Sequence, residues 1–376
     1  MMLPSPTGSR LTFRPELDGI RAIGVVLVVA QHWLPMSLPF GEASLTTFFV
    51  LSGYLITGIV WHQRAQVEAG IMSTGRALVL FYCRRALRIL PGYYFTLVLC
   101  ALLPLASIRQ YWPWYVLHGS NVLFYRLQQW GEGVGHFWSL AVEEQFYALW
   151  PVLLLFWPTR KQGWLLAGLM VGAFVFRLVW IRNAPLPFTF VLMPANLDAF
   201  AAGGLLRLLE THLPARWWGY GWLAALGWST WLAISLLHMV SPSEWEASFL
   251  VVGLGAAALG AAGLLGWVLH TPYRFTRALL LHPVVQWVGT RSYGLYLYHL
   301  PAVVVYQRLI YRLWAAEPAS QTLLAYWMNP WRMSLVLTPI TLALAGISWR
   351  WLERPFNNLK RYFSYAPSAD RPARQV

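Results

Sequence analysis

RPELDGIRAIGVVLVVAQHW, residues 14–33, carries an arginine and a histidine, Arg21 and His32, separated by an almost wholly apolar run. At 3.6 residues per turn, eleven positions make close to three turns. Both side chains therefore fall on one helix face, roughly 16 Å apart along the axis. A helix this apolar belongs in a membrane, with the arginine at an edge and the imidazole deep below it. Ionisable groups inside hydrocarbon cost about 2.5–3.5 kcal/mol for Arg at a helix centre, and they mark sites.

The rest of the chain agrees with that reading. Of 376 residues, 58% are apolar and 11% charged, and the mean hydropathy is +0.49. These values exclude an ordinary soluble domain and describe an all-α, polytopic membrane protein. A net charge of +14 would suggest nucleic acid in a soluble protein. In a membrane protein it reflects basic cytoplasmic loops, so no nucleic-acid partner is expected. The two cysteines, Cys83 and Cys100, fit no ligand spacing, and no HExxH-like pattern occurs, so neither a disulfide framework nor a metal is expected. The first apolar run lacks a small-residue cleavage site and is read as a retained helix rather than a signal peptide.

Ten apolar stretches are long enough to cross about 30 Å of hydrocarbon: residues 21–39, 45–62, 89–107, 137–157, 163–181, 192–209, 219–239, 247–269, 284–306 and 333–352. A bundle of about ten transmembrane helices follows. With the N-terminus inside, one side collects Arg64, Arg76, Arg84, Arg85, Arg88, Arg160, Lys161, Arg350, Arg354, Lys360 and Arg361, whereas the other keeps few basic residues, among them Arg109, Arg126, Arg308 and Arg312. That bias predicts cytoplasmic termini at both ends, in a multi-pass protein of the plasma membrane. The organisation expected is a cytoplasmic segment over 1–20, one transmembrane domain over 21–356 and a basic cytoplasmic tail over 357–376, with no long soluble insert. Most of the 23 tryptophans sit at expected helix ends, as interfacial residues do. The cluster holding Trp112 and Trp114 lies on the expected outer side, where its faces suit a sugar. Glycines 253, 255, 260, 263 and 266 suggest close helix packing.

Candidate chemistry is concentrated in a few places. Ser52-Gly53 interrupts the apolar run TTFFVLSGYLITG, residues 46–58, and signals a close contact or a small pocket. In FYCRRALRILPGYY, Arg84 and Arg88 share a helix face while Arg85 points about 100° away, so the three together suit a polyanion or simply anchor the chain at the inner surface. HFWSLAVEEQFYALWP places Glu143 and Glu144 a turn inside an apolar helix, with Ser139 and Tyr147 on the face of Glu143. The plainer alternative pairs these carboxylates with an intramembrane arginine such as Arg177. Asp198 is either a membrane-edge carboxylate or a cap. His299, in SYGLYLYHLP, is either a packing residue or part of a substrate site.

Taken in order, LDGIRAIGVVLVVAQH, FFVLSGYLITG, RRALRILPGYY, HFWSLAVEEQFYALWP, SYGLYLYHLP and WRWLERPFNN resemble the successive motifs of the acyltransferase-3 family of integral membrane O-acyltransferases. The resemblance implies transfer of an acyl group, most often acetyl, from cytoplasmic acetyl-CoA or another acyl-CoA to a hydroxyl of an extracytoplasmic or lipid-linked glycan. Many members carry an extra SGNH-type esterase domain, and none is expected here. Acyl transfer to an alcohol requires a base, a hold on the nucleotide end of the donor and an aligned meeting point. His32 fits the base, oriented by Glu143 or Glu144. Arg21, Arg84, Arg85 and Arg88 fit the donor phosphates. Ser52, Ser139, Tyr147, Trp112, Trp114 and His299 are expected to meet the substrates. Direct transfer and an acyl-His32 intermediate both stay open. A transporter would also keep charges in its helices, but no second copy of the Arg21/His32 or Glu143/Glu144 pattern indicates an internal repeat. A non-catalytic membrane sensor is the remaining alternative.

Overall fold

A computed structural model describes residues 13–103, 105–183, 187–212, 217–271, 273–314 and 321–365. Residues 1–12 of the expected N-terminal segment and 366–376 of the expected tail lie outside the described residues. Every regular element among the described residues is helical. In chain order the α-helices are α1 (Pro15–Trp33), α2 (Phe40–Glu68), α3 (Thr74–Leu102), α4 (Ala106–Val116), α5 (Ser120–Leu127), α6 (Phe137–Phe156), α7 (Gln162–Asn183), α8 (Leu197–His212) and α9 (Trp217–Val240). They continue with α10 (Pro242–Ser248), α11 (Leu254–His270), α12 (Arg274–Leu280), α13 (Pro283–Thr290), α14 (Ser292–Trp314), α15 (Gln321–Trp327), α16 (Pro330–Ser348) and α17 (Arg354–Asn358).

Local chemistry sets the ends of the first helices. Pro15 opens α1 with Glu16 and Asp18 in its first turn, where a proline has no hydrogen bond to lose and carboxylates suit the positive end of the helix. The helix stops at Trp33, six residues short of the end of the apolar run, because Pro35 and Pro39 follow. Helix α3 starts well before the expected residue 89. Ser73 caps it by accepting the Arg76 amide at 3.2 Å, and arginine is a good helix former whose apolar stem tolerates burial. Arg84, Arg85 and Arg88 consequently sit in the body of a helix.

Among the described residues six helical rods are long and apolar enough to cross a membrane: Phe40–Glu68, Thr74–Leu102, Thr159–Ile181, Trp218–Val240, Pro242–His270 and Pro330–Tyr362. The other four expected crossings fall on α1, α6, α8 and α14. Helix α8 has only 16 residues. The remaining three carry Arg21 with two acidic residues, Glu143 with Glu144, and His299 with Arg308 and Arg312.

Small residues let the rods approach. A Cβ on Gly53 of α2 would lie 2.0 Å from the Phe200 carbonyl oxygen of α8, and one on Gly203 equally close to that of Val50. The sequence reading of Ser52-Gly53 as a close contact therefore holds, since lipid offers no hydrophobic drive and helices join by fit. Gly263 does the same for α9 and α11, with a Cβ position 2.3 Å from the Ala224 nitrogen. Phe146 stacks on Phe200 at 4.0 Å in the centre of the bundle.

Candidate active site

Five helices, α1, α2, α3, α6 and α14, line a cavity of about 110 Å³. Arg21 reaches it from α1, and Arg85 and Arg88 from α3. Asp18 pairs with Arg21 at 2.8 Å and offsets one of the three charges. Arg88 stands within electrostatic reach of both other arginines, and its side chain is accessible although protein surrounds it. Arg85 lies over the Tyr147 ring, 5.0 Å from its centroid. Three guanidinium groups converging on one accessible space make an anion site by Coulomb attraction and by their many donors.

The cavity wall beyond the arginines is lined with hydroxyls. Ser52 and Tyr147 both donate to the same oxygen of Glu143. Ser139 bonds Tyr296 through their hydroxyls at 2.5 Å. Glycine at position 53 lets α2 sit close to α8, and the preceding Ser52 then faces α6, so the expected small pocket is present too. Glu144 points elsewhere and has one buried oxygen without a hydrogen-bond partner.

His32 lies at the other end of α1, with an exposed imidazole. Its Nδ1 is 2.8 Å from the Val28 carbonyl oxygen and 3.3 Å from His299 Nε2. A carbonyl only accepts, so Nδ1 carries the proton and the lone pair falls on Nε2. His299 is held in the same way, donating from Nδ1 to the Tyr296 carbonyl at 2.7 Å, which leaves its Nε2 as an acceptor facing His32. His136 packs against His299, with ring centroids 4.8 Å apart. Tyr296 thus joins the two regions: its hydroxyl lines the arginine cavity and its carbonyl orients His299.

The structure departs from the sequence expectations at two points, the partner of His32 and the place of Arg84. Neither Glu143 nor Glu144 contacts His32. The carboxylate of Glu143 is taken by Ser52 and Tyr147, and a carbonyl and an imidazole orient His32 instead. Arg84 does not line the cavity; it donates to the Lys360 and Phe363 carbonyls at 3.0 and 2.9 Å and lies over the Tyr365 ring, so the cavity pair on α3 is Arg85 with Arg88. Trp112 and Trp114, expected to meet a sugar on the outer side, lie apart from this cavity. Trp112 is 58% exposed, and Arg126 covers Trp114 at 5.7 Å. The plainer alternative for the two glutamates is not formed: Arg177 pairs at 2.7 Å with Asp198, a buried counter-ion, and Glu143 and Glu144 are left to other partners.

Sequence reasoning also missed residues. Tyr293 and Tyr296 line the cavity within the motif SYGLYLYHLP, where only His299 was singled out. His136 opens the motif HFWSLAVEEQFYALWP and packs against His299, although no spacing in the sequence marks it. Glu353, in WRWLERPFNN, is 4% exposed, accepts from Ser348 at 3.0 Å and lies within electrostatic reach of Arg88. A lone acid in an apolar helix was the available signal. Among the described residues no group of three or more His, Cys, Asp or Glu side chains is arranged to hold a metal.

Comparison with known proteins gives this geometry a context. A family described as an acyltransferase domain matches residues 14–350. The peptidoglycan O-acetyltransferase OatA of Listeria monocytogenes is 26% identical, over 93% of this chain and 57% of its own length. A putative peptidoglycan O-acetyltransferase, YrhL of Bacillus subtilis, is 26% identical over 91% of this chain and 54% of its own length. A putative O-acetyltransferase of Staphylococcus aureus is 26% identical over 92% and 58%. The chain thus spans little more than half the length of these relatives. No solved structure matches it.

Proposed function

The chain belongs to the acyltransferase family, and from that membership we propose that it is a membrane O-acetyltransferase. In this reading it moves an acetyl group from cytoplasmic acetyl-CoA to a hydroxyl of an extracytoplasmic or lipid-linked glycan. The observation that carries the reading is the pairing of a three-arginine cavity with an accessible imidazole along one face of α1. Arg21, Arg85 and Arg88 hold the phosphates of the donor. The amides of its pantetheine arm run past Glu143, Ser52, Tyr147, Ser139 and Tyr296. His32 Nε2 takes the acceptor hydroxyl proton as that oxygen bonds to the thioester carbonyl carbon. The C–S bond then breaks, and the coenzyme A thiolate receives the proton. His299 keeps His32 in the required tautomer. Two of the relatives are named for peptidoglycan, which supports a cell-wall glycan as the acceptor class.

The orientation belongs to the same proposal. One transmembrane domain over residues 21–356 makes about ten crossings of the plasma membrane, with both termini cytoplasmic, so that the donor reaches Arg21 from inside and the acceptor reaches His32 from outside. Cysteines introduced near Arg76 and near Gln128 are expected to label from opposite sides with an impermeant thiol reagent. Sealed vesicles of known orientation are expected to release coenzyme A thiol only with acetyl-CoA on the Arg76 side and a glycan on the other. Equal activity with the donor on the opposite side, or labelling of both cysteines from one side, overturns the direction of transfer.

A further inference from the structure

A second cavity, of about 140 Å³, lies at the His32 end of the bundle and shares the Leu45 and Phe49 wall with the arginine cavity. Its place is fixed by the start of α2, where the Gly41 amide donates to the side chain of Gln31, the residue before His32, at 3.0 Å. We propose that this second cavity is the acceptor site and that it takes a neutral, hydroxyl-rich saccharide segment. The assignment rests on the acyl-transfer reading above and gives it a substrate position that neither the sequence nor the relatives supply.

The lining chemistry is the reverse of that in the arginine cavity. No arginine or lysine contributes to it, whereas Glu42 and Glu246 do. Glu42 has one buried carboxylate oxygen with no hydrogen-bond partner. Such an oxygen costs on the order of 1–3 kcal/mol until a donor reaches it, and a ligand hydroxyl or amide N–H is the group that fits. Glu246 is held by His238 at 3.1 Å across the α9–α10 connection. Two carboxylates at one cavity disfavour an anionic occupant, so the phosphates of the donor are steered to the other side.

Aromatic walls complete the recognition. Trp138 meets the edge of Phe49 at 6.2 Å and of Phe190 at 5.5 Å, forming a continuous aromatic surface. The C–H faces of a pyranose ring pack on such surfaces while its hydroxyls reach the carboxylate. A π-helical turn at Phe249–Gly253 interrupts the rod between α10 and α11 where Phe249 and Leu250 line the cavity. Widened turns of this kind recur at functional sites. Trp138 also precedes Ser139, which faces the arginine cavity, so the first turn of α6 forms part of both walls.

The test uses the full chain in lipid nanodiscs, with chitotetraose and maltotetraose as saccharide probes followed by saturation-transfer NMR on irradiating aromatic protons. Saturable transfer to at least one tetrasaccharide is expected. Glu42→Gln and Phe190→Ala should each weaken that binding at least fivefold with acetyl-CoA affinity held within twofold, and Arg85→Ala should do the opposite. Failure of both tetrasaccharides to bind, or wild-type affinity in both Glu42→Gln and Phe190→Ala, overturns the acceptor site even where thiol release continues. Loss of acetyl-CoA binding and thiol release in the wild type would instead defeat the acyl-transfer reading itself.

Discussion

The two ends of α1 solve different problems. At the Arg21 end three guanidinium groups share one accessible space, and Asp18 bonds to one of them, Arg21. At the His32 end a cluster of imidazoles stands instead: His32 and His299 are held by backbone carbonyls and by each other, and His136 packs its ring against His299, with no carboxylate in contact. Fixed charge suits holding an anion. Neutral, tautomer-locked imidazoles suit moving a proton, because the lone pair on His32 Nε2 is set by geometry rather than by a counter-ion. Removing a group at one end should therefore change rate, and removing a group at the other should change affinity.

The largest effect is expected at the imidazole end. His32→Ala should lower acyl transfer about 10²- to 10⁴-fold at saturating donor, the range lost with a general base, with acetyl-CoA affinity held within threefold. Thiol release and calorimetry on the same purified sample separate the two quantities, and more than a tenth of the wild-type rate would sink the base role. His299 is assigned to position His32, so His299→Leu should reduce kcat and leave donor affinity alone. His299→Gln, which returns an acceptor near the Nε2 position, should recover part of the loss. Equal loss in both variants would make His299 a packing residue.

At the other end the order reverses. Arg85→Ala and Arg88→Ala should each weaken acetyl-CoA binding about tenfold or more, since a charge-assisted hydrogen bond is worth about 1.5–3 kcal/mol. The loss should shrink at high salt as screening shortens the reach of the remaining charges. Calorimetry at two ionic strengths measures both, and an unchanged affinity would return these arginines to the role of topological anchors.

Which parts of this were legible follows from what sequence spacing encodes. Helical phase is a local property, so the shared face of Arg21 and His32, the Ser52–Gly53 contact and the wall formed by Ser139, Glu143 and Tyr147 could be read directly. Partner choice is not local. Glu143 goes to Ser52 of α2 and His32 meets His299 of α14, and nothing within either segment specifies those encounters. The count of crossings was blurred for a related reason. Helices α1, α6 and α14 carry the ionisable residues Arg21, Glu143 and His299 that the cavity and the histidine cluster use, so each falls short of the apolarity of a rod such as Thr159–Ile181. For the aromatic cluster at 112–114 local sequence does not decide the role, because an exposed tryptophan at a membrane edge and one that meets a sugar have the same local sequence.

The finest division falls within the run of three arginines. Spacing pairs Arg84 with Arg88, yet the cavity takes Arg85 and Arg88, and Arg84 is spent on the carbonyls of Lys360 and Phe363 and the ring of Tyr365. Two hydrogen bonds and a cation–π contact tether the segment after α17 to α3. Arg84→Ala should therefore shift donor affinity less than threefold, well below the change at Arg85. Its main consequence should be a released tether, read as faster proteolysis within residues 359–365 in the variant than in the wild type. Arg84→Lys, with one compact charge in place of a planar fork, should restore the charge but only part of the tether. A loss of donor affinity at Arg84→Ala as large as that at Arg85→Ala, with proteolysis unchanged, would place Arg84 in the anion site and erase the division.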